Sequence, residues 1–300
     1  MPSLRLLAAR SFVRWMSDAA LSPEQLRARF AQRAYPRHAA PTRRALRLTQ
    51  LSEREHRGRP LFELSPRGAE SAWHIIYLHG GGFVKPIHWA HWDICASLVQ
   101  ATGASLSLPT YPLCPEHSLD ECHEHLESLY ERVLTERPTQ RLLICGDSAG
   151  GNLALSLALR RRDAGLSLPE RVTLFCPWLD LSMSEPAIQA LVPLDPMLQL
   201  STIEEWGRWW AGERALQDPS VSPLYADLEG LPPIDQYLGT HDLLTPDAQR
   251  LTRRLREAEV AVNEQLTEGG FHVFMGATFT PEARRVYQRI AGQLSSVSAG

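Results

Sequence analysis

The chain has 300 residues, 44% of them hydrophobic, enough to bury the core of one large α/β domain or of two small ones. A formal net charge of −3, with 22% charged residues and no acidic or basic tail, offers no face to nucleic acid. Five cysteines, an odd number without C-x-x-C spacing, fit a reduced cytoplasmic setting better than a disulfide framework, and the lack of any run of about 18 apolar residues argues against stable membrane insertion.

At the N-terminus Leu4, Leu6, Leu7, Phe12, Val13 and Trp15 are punctuated by Arg5, Arg10 and Arg14. The arginines break any signal-peptide core, and the pattern reads as an amphipathic helix packed on the protein, with a transit peptide or membrane-surface helix as the alternatives. The rest of the first seventy residues reads as helical, then irregular, broken by Pro36, Pro41, Pro60 and Pro66. Short apolar runs then alternate with amphipathic stretches. Strands are predicted over Trp73–Leu78, Ser105–Leu108, Arg141–Cys145, Arg171–Cys176, Gln236–Gly239 and Val262–Leu266. Helices are predicted over Trp89–Ala101, Leu119–Arg137, Gly150–Ala164, Pro246–Ala258 and Pro281–Leu294. This alternation implies a single α/β domain over 1–300, with a mostly parallel central sheet and helices on both faces. Residues from Asp180 to about Pro219 hold no strand but one helix, Ser201–Trp210. The insertion 182–220 and residues 1–45 are expected to form a helical cap over the C-terminal edge of the sheet.

Gly146-Asp147-Ser148-Ala149-Gly150 is a G-x-S-x-G pentapeptide between an apolar strand and an apolar-faced helix. A nucleophilic serine needs such a sharp strand-to-helix turn, and flanking glycines let the two elements approach without Cβ clashes. Tyr77-Leu78-His79-Gly80-Gly81-Gly82-Phe83 ends another strand. Backbone N–H groups in that turn, with the N–H of Ala149, could stabilise a tetrahedral oxyanion. Neither a dinucleotide-binding fingerprint nor a P-loop is present, and His79 is read as orienting the turn by hydrogen bonding rather than as a base.

In this chemistry the order Ser, acid, His is expected. Asp242 follows the strand ending at Gly239, and His272 follows the one ending at Leu266, so Ser148, Asp242 and His272 form the candidate triad. Asp247 is the competing acid, read instead as first-turn helix stabilisation. His88 with His91 and His123 with His125 are read as surface or loop histidines, and neither metal nor cofactor is expected. Phe83, Trp206 and Trp210 are candidate linings of an acyl pocket; the helical spacing of Trp206, Trp209 and Trp210 equally suits simple packing.

His79-Gly80-Gly81-Gly82-Phe83, Gly146–Asn152, Tyr111-Pro112-Leu113-Cys114-Pro115-Glu116, the Asp242 loop and Gly270-Phe271-His272-Val273-Phe274 together resemble the hormone-sensitive lipase-like branch of the α/β hydrolases. The resemblance spans roughly residues 72–275. It implies a small-molecule ester substrate with a short acyl chain, Gly81, Gly82 and Ala149 as oxyanion donors, and by analogy a homodimer. Pro112 and Cys114 depart from the family's usual Arg and Ala, and Lys85-Pro86 follows the glycine turn, which touches pocket shape and not chemistry. Amidase or arylformamidase action, deacetylation of a small metabolite, and a non-catalytic ligand-binding role are the alternatives at this stage.

Overall fold

A computed structural model describes residues 1–17, 21–31 and 37–297; Pro36 and parts of the expected N-terminal cap lie outside the described residues. The centre of the molecule is an eight-stranded sheet in the order β1-β2-β4-β3-β5-β6-β7-β8. Its strands are β1 (Thr49–His56), β2 (Arg59–Pro66), β3 (Trp73–Leu78), β4 (Ser105–Pro109), β5 (Arg141–Asp147), β6 (Arg171–Phe175), β7 (Ile234–His241) and β8 (Val262–Phe271). From β4 onward every pairing is parallel. β3 is buried at all six positions and β5 at all but its first, as strands covered on both faces must be.

The helices are α1 (Leu4–Met16), α2 (Pro23–Ala31), α3 (Arg43–Leu48), α4 (Trp89–Thr102), α5 (Leu119–Glu136), α6 (Ala149–Asp163), α7 (Ile188–Leu191), α8 (Leu200–Ala211), α9 (Thr245–Glu257) and α10 (Pro281–Val297). Two apolar clusters lie on opposite faces of the sheet: α5, α6, α8 and α9 supply one, and α1, α4 and α10 the other. Local signals start several helices. Ser118 caps α5 by accepting from Glu121 N–H while Glu121 reaches back to the Ser118 N–H, and His88 and His91 make the same reciprocal cap on α4.

One region departs from expectation. The irregular stretch before residue 70 contains the β1–β2 hairpin, antiparallel within itself and to β4. β1 is an edge strand exposed over Ser52–Glu55, so it lacks the apolar alternation by which a half-buried strand is read, and Pro60 and Pro66 sit at the tolerant ends of β2.

The insertion leaves the sheet after β6 and carries α7 and α8. Asn152, on the first turn of α6, donates from Nδ2 to Trp178 O and Val221 O, both at 3.0 Å, tying down both stems of that excursion. α2 packs on α8: Arg27 meets the buried Glu205 at 2.7 Å, and the Phe30 ring lies edge-on to Trp206 and Trp209. α1 runs elsewhere, along β8 and α10, with Ser3 donating twice to Glu282. Among the described residues no helix is long and apolar enough to cross a membrane.

Candidate active site

Ser148 stands between the last residue of β5 and the first of α6, at φ 53° and ψ −120°, a conformation costly for a residue with a Cβ. The turn closes only because its neighbours are glycine. A Cβ on Gly146 would lie 2.2 Å from Gly150 O, and one on Gly150 would lie 1.9 Å from Leu78 O. The strained elbow is therefore clamped between β5, α6 and the end of β3. The Ser148 N–H donates to Phe175 O at 2.9 Å, which fixes the elbow against β6 as well.

The next residue along β6 leads to the acid and the base. Cys176, itself at φ 46°, places its sulfur in one cluster with an Asp242 oxygen and a His272 ring nitrogen, all within 4.8 Å of one another. His272 Nδ1 donates to Asp242 Oδ2 at 3.0 Å, and both residues are buried. Asp242 Oδ1 accepts the Leu244 N–H at 2.9 Å, so the carboxylate is fixed on both oxygens. The loops after β5, β6, β7 and β8 thus converge at the C-terminal edge of the sheet. Ser148 forms no side-chain hydrogen bond among the described residues; serine–imidazole bonds commonly tighten only with substrate. Asp247 lies apart from this pair, bonded to Arg250 at 2.7 Å.

Burial alone would lower the His272 imidazole, but the adjoining Asp242 carboxylate, its hydrogen bond and the charge of Asp195 carry it above the ordinary histidine value. Asp195 belongs to the insertion and carried no signal in the sequence. Its carboxylate accepts the N–H groups of Met197 and Leu198 at 2.8 and 2.9 Å and, through the other oxygen, that of Leu243 at 3.0 Å. Burial, reinforced by the charge of Asp242, pushes it up to about 6.

Asp147, the residue before the serine, is a second contributor to which the sequence reading gave no role of its own. Its Oδ1 accepts the Tyr77 hydroxyl at 2.7 Å and the Gly80 N–H at 3.0 Å, and His91 Nε2 stands 3.5 Å from Oδ2. Burial would raise this carboxyl, yet His91 and the Tyr77 hydroxyl hold it below its usual value. The carboxylate therefore joins the elbow to the glycine turn. In that turn His79 Nδ1 donates to Gly80 O at 2.7 Å and its ring stacks on Tyr111 at 4.3 Å. Burial, with the nearby His91, drops the His79 imidazole to about 3, leaving it neutral. Gly81 O accepts from Val84 and Lys85 N–H, folding the turn back at φ 115° and 63° for Gly81 and Gly82. The N–H groups of Gly81, Gly82 and Ala149 have no acceptor among the described residues.

The aromatic residues divide. Trp206 sits against the turn, where a Cβ on Gly82 would fall 2.3 Å from its ring. Phe83 and Trp210 stack on each other at 4.1 Å and 6°, both buried. Three histidines expected at the surface are interior instead: His91, His123 and His125 leave at most 8% of their surface exposed, on the inner sides of α4 and α5. Polar residues beside them in the sequence conceal an inward helical face. Neither expected pair joins a metal-sized cluster among the described residues; the one such cluster is Cys176, Asp242 and His272, where Nδ1 is already engaged by the carboxylate.

A family model described as alpha/beta hydrolase fold matches residues 75–276. An esterase of Acinetobacter venetianus is 28% identical over 288 residues, covering 94% of this chain and 92% of that protein. The hormone-sensitive lipase of Ictidomys tridecemlineatus is 28% identical over 194 residues, 62% of this chain and 25% of the lipase. The crystal structure of a hormone-sensitive lipase from a metagenome library, 26% identical, superposes with a TM-score of 0.83 over 99% of both chains.

Proposed function

The chain belongs to the α/β-hydrolase fold family, in its hormone-sensitive lipase-like branch, and from that premise we propose that it hydrolyses small carboxylic esters with short acyl chains through an acyl-enzyme on Ser148. The observation that carries this reading is the buried His272–Asp242 pair at 3.0 Å, on loops converging beside a serine held at a strained elbow.

In this reading His272 Nε2 takes the Ser148 proton as the hydroxyl oxygen attacks the acyl carbon, and the imidazolium returns it to the leaving alkoxide. Asp242 fixes the Nδ1–H tautomer and offsets the imidazolium charge. The developing oxyanion is met by the N–H groups of Gly81, Gly82 and Ala149; loss of one such donor typically costs about 10²–10³-fold in rate. Water then attacks the acyl-enzyme by the same proton path. The α2 helix and the insertion 182–220 act as the cap, α1 lying instead along β8 and α10, and Trp206, pressed against the Gly82 turn, limits acyl length, with the Phe83–Trp210 stack as further lining.

Fluorophosphonate labelling tests the nucleophile: the native protein forms a covalent adduct and Ser148→Ala does not. Equal labelling of the two, or none, removes this reading and leaves a ligand-binding role. Nitrophenyl esters of increasing acyl length, run against an aryl formamide, separate ester from amide preference. Trp206→Ala is expected to shift the optimum toward longer acyl chains.

A further inference from the structure

The outward side of α1 runs against the usual placement of large apolar residues. Leu4, Phe12, Trp15 and Met16 leave 84, 54, 77 and 59% of their surface open, while Leu6 and Ala9 fill the inner face. At 3.6 residues per turn Leu4, Ala8 and Trp15 form the crest, with Arg5, Phe12 and Met16 on one shoulder and Arg10 and Arg14 on the other. The patch continues beyond the helix. Arg14 Nη2 donates to Pro193 O and Leu194 O at 3.2 and 3.1 Å, bringing in the exposed Val192, Leu194 and Met197, and Arg5 reaches Phe279 O beside another exposed ring. Scattered exposed hydrophobes are ordinary; a contiguous aromatic patch marks an interaction site.

Charge selects the partner. The Leu4–Met16 helix carries three arginines and no carboxylate, and none of the three meets an acidic side chain among the described residues. Arg10, Ser11, Arg14, Pro193, Leu194 and His241 line a hollow of about 350 Å³ beside the crest. Burial and the charges of Arg10 and Arg14 together hold the His241 imidazole below its usual value, as an uncompensated cationic cluster would. A two-fold pairing through this patch would gather six arginines, three from each copy, in one interface with no carboxylate of α1 to offset them.

We propose that this face docks the protein on an anionic lipid surface, with Leu4, Phe12 and Trp15 entering the headgroup boundary and Arg5, Arg10 and Arg14 meeting lipid phosphates. Long arginine stems flanking an apolar crest suit that depth, and the 13-residue helix is too short to span. Docking would settle beside the acid loop, since His241 precedes Asp242 and Leu194 precedes Asp195.

Cosedimentation of the full chain with phosphatidylcholine vesicles, with and without phosphatidylglycerol, tests this. Binding is expected only with phosphatidylglycerol, and to weaken with salt. Arg5→Gln and Arg10→Gln should each weaken it about fivefold, and Trp15→Ser on the order of tenfold, with unfolding temperatures unchanged. Equal binding to both vesicle types, native-like binding by these variants, or abolition by millimolar inorganic phosphate would overturn the proposal. So would a native dimer that Trp15→Ser dissolves. Ser148→Ala should bind like the native protein, so the outcome is independent of the esterase reading.

Discussion

Gly150 measures how much of the site depends on one missing Cβ. In Gly150→Ala the new methyl would start 1.9 Å from Leu78 O and 2.6 Å from His79 O, both backbone atoms that cannot rotate away. Relief requires the first gap to reach the 3.4 Å where ordinary contact begins, a displacement of about 1.5 Å between α6 and the end of β3. That movement separates the Ala149 N–H from the glycine turn that supplies the other oxyanion donors. A misplacement of about 1 Å commonly costs about 10²-fold in rate, and forced overpacking costs about 1–3 kcal/mol of stability. Gly150→Ala should therefore lower kcat on nitrophenyl acetate by about a hundredfold or more and reduce urea stability by about 1–3 kcal/mol. Gly292→Ala is the control: a Cβ added there on α10 would meet no atom within 4 Å, so the variant should gain about 0.5–1 kcal/mol and leave turnover alone. A Gly150→Ala enzyme within threefold of native rate and stability would refute the clamped-elbow argument.

Three further outcomes follow from the charges around His272. Because that imidazole is held above 6.5 and must be neutral to act as base, kcat/KM should rise with pH through an apparent value above 6.5 and be lost below it. Asp195→Asn removes a negative charge that favours the imidazolium, so the acid limb of that profile should move to lower pH; a limb that stays in place would show that Asp195 does not reach the base. Asp242→Asn should cost about 10⁴-fold in kcat by loss of the tautomer lock, while Asp247→Asn, bonded to Arg250 and not to His272, should stay within a few-fold by the same assay. A reversal of that order would reassign the acid.

Much of the site is legible before any folding is considered, because its parts are local. A serine between glycines can be read as an elbow wherever an apolar strand feeds an apolar-faced helix. The order of strand ends places Asp242 and His272, since a parallel sheet delivers every strand's C-terminal end to the same edge. The alternation of apolar runs likewise discloses the sheet from β3 to β8. What stays hidden depends on partners distant in the chain. β1 lies at the sheet edge, where water replaces the alternating apolar face. His91, His123 and His125 sit inside because of which side their helices turn inward. Asp147 and Asp195 gain their roles from backbone N–H groups and charges far away in sequence, one fastening the elbow to the glycine turn and the other fastening the insertion to the acid loop. The outward crest of α1 belongs to the same class: its amphipathic pattern is written in the sequence, but only the packing of Leu6 and Ala9 determines that Trp15 and Phe12 are left facing solvent.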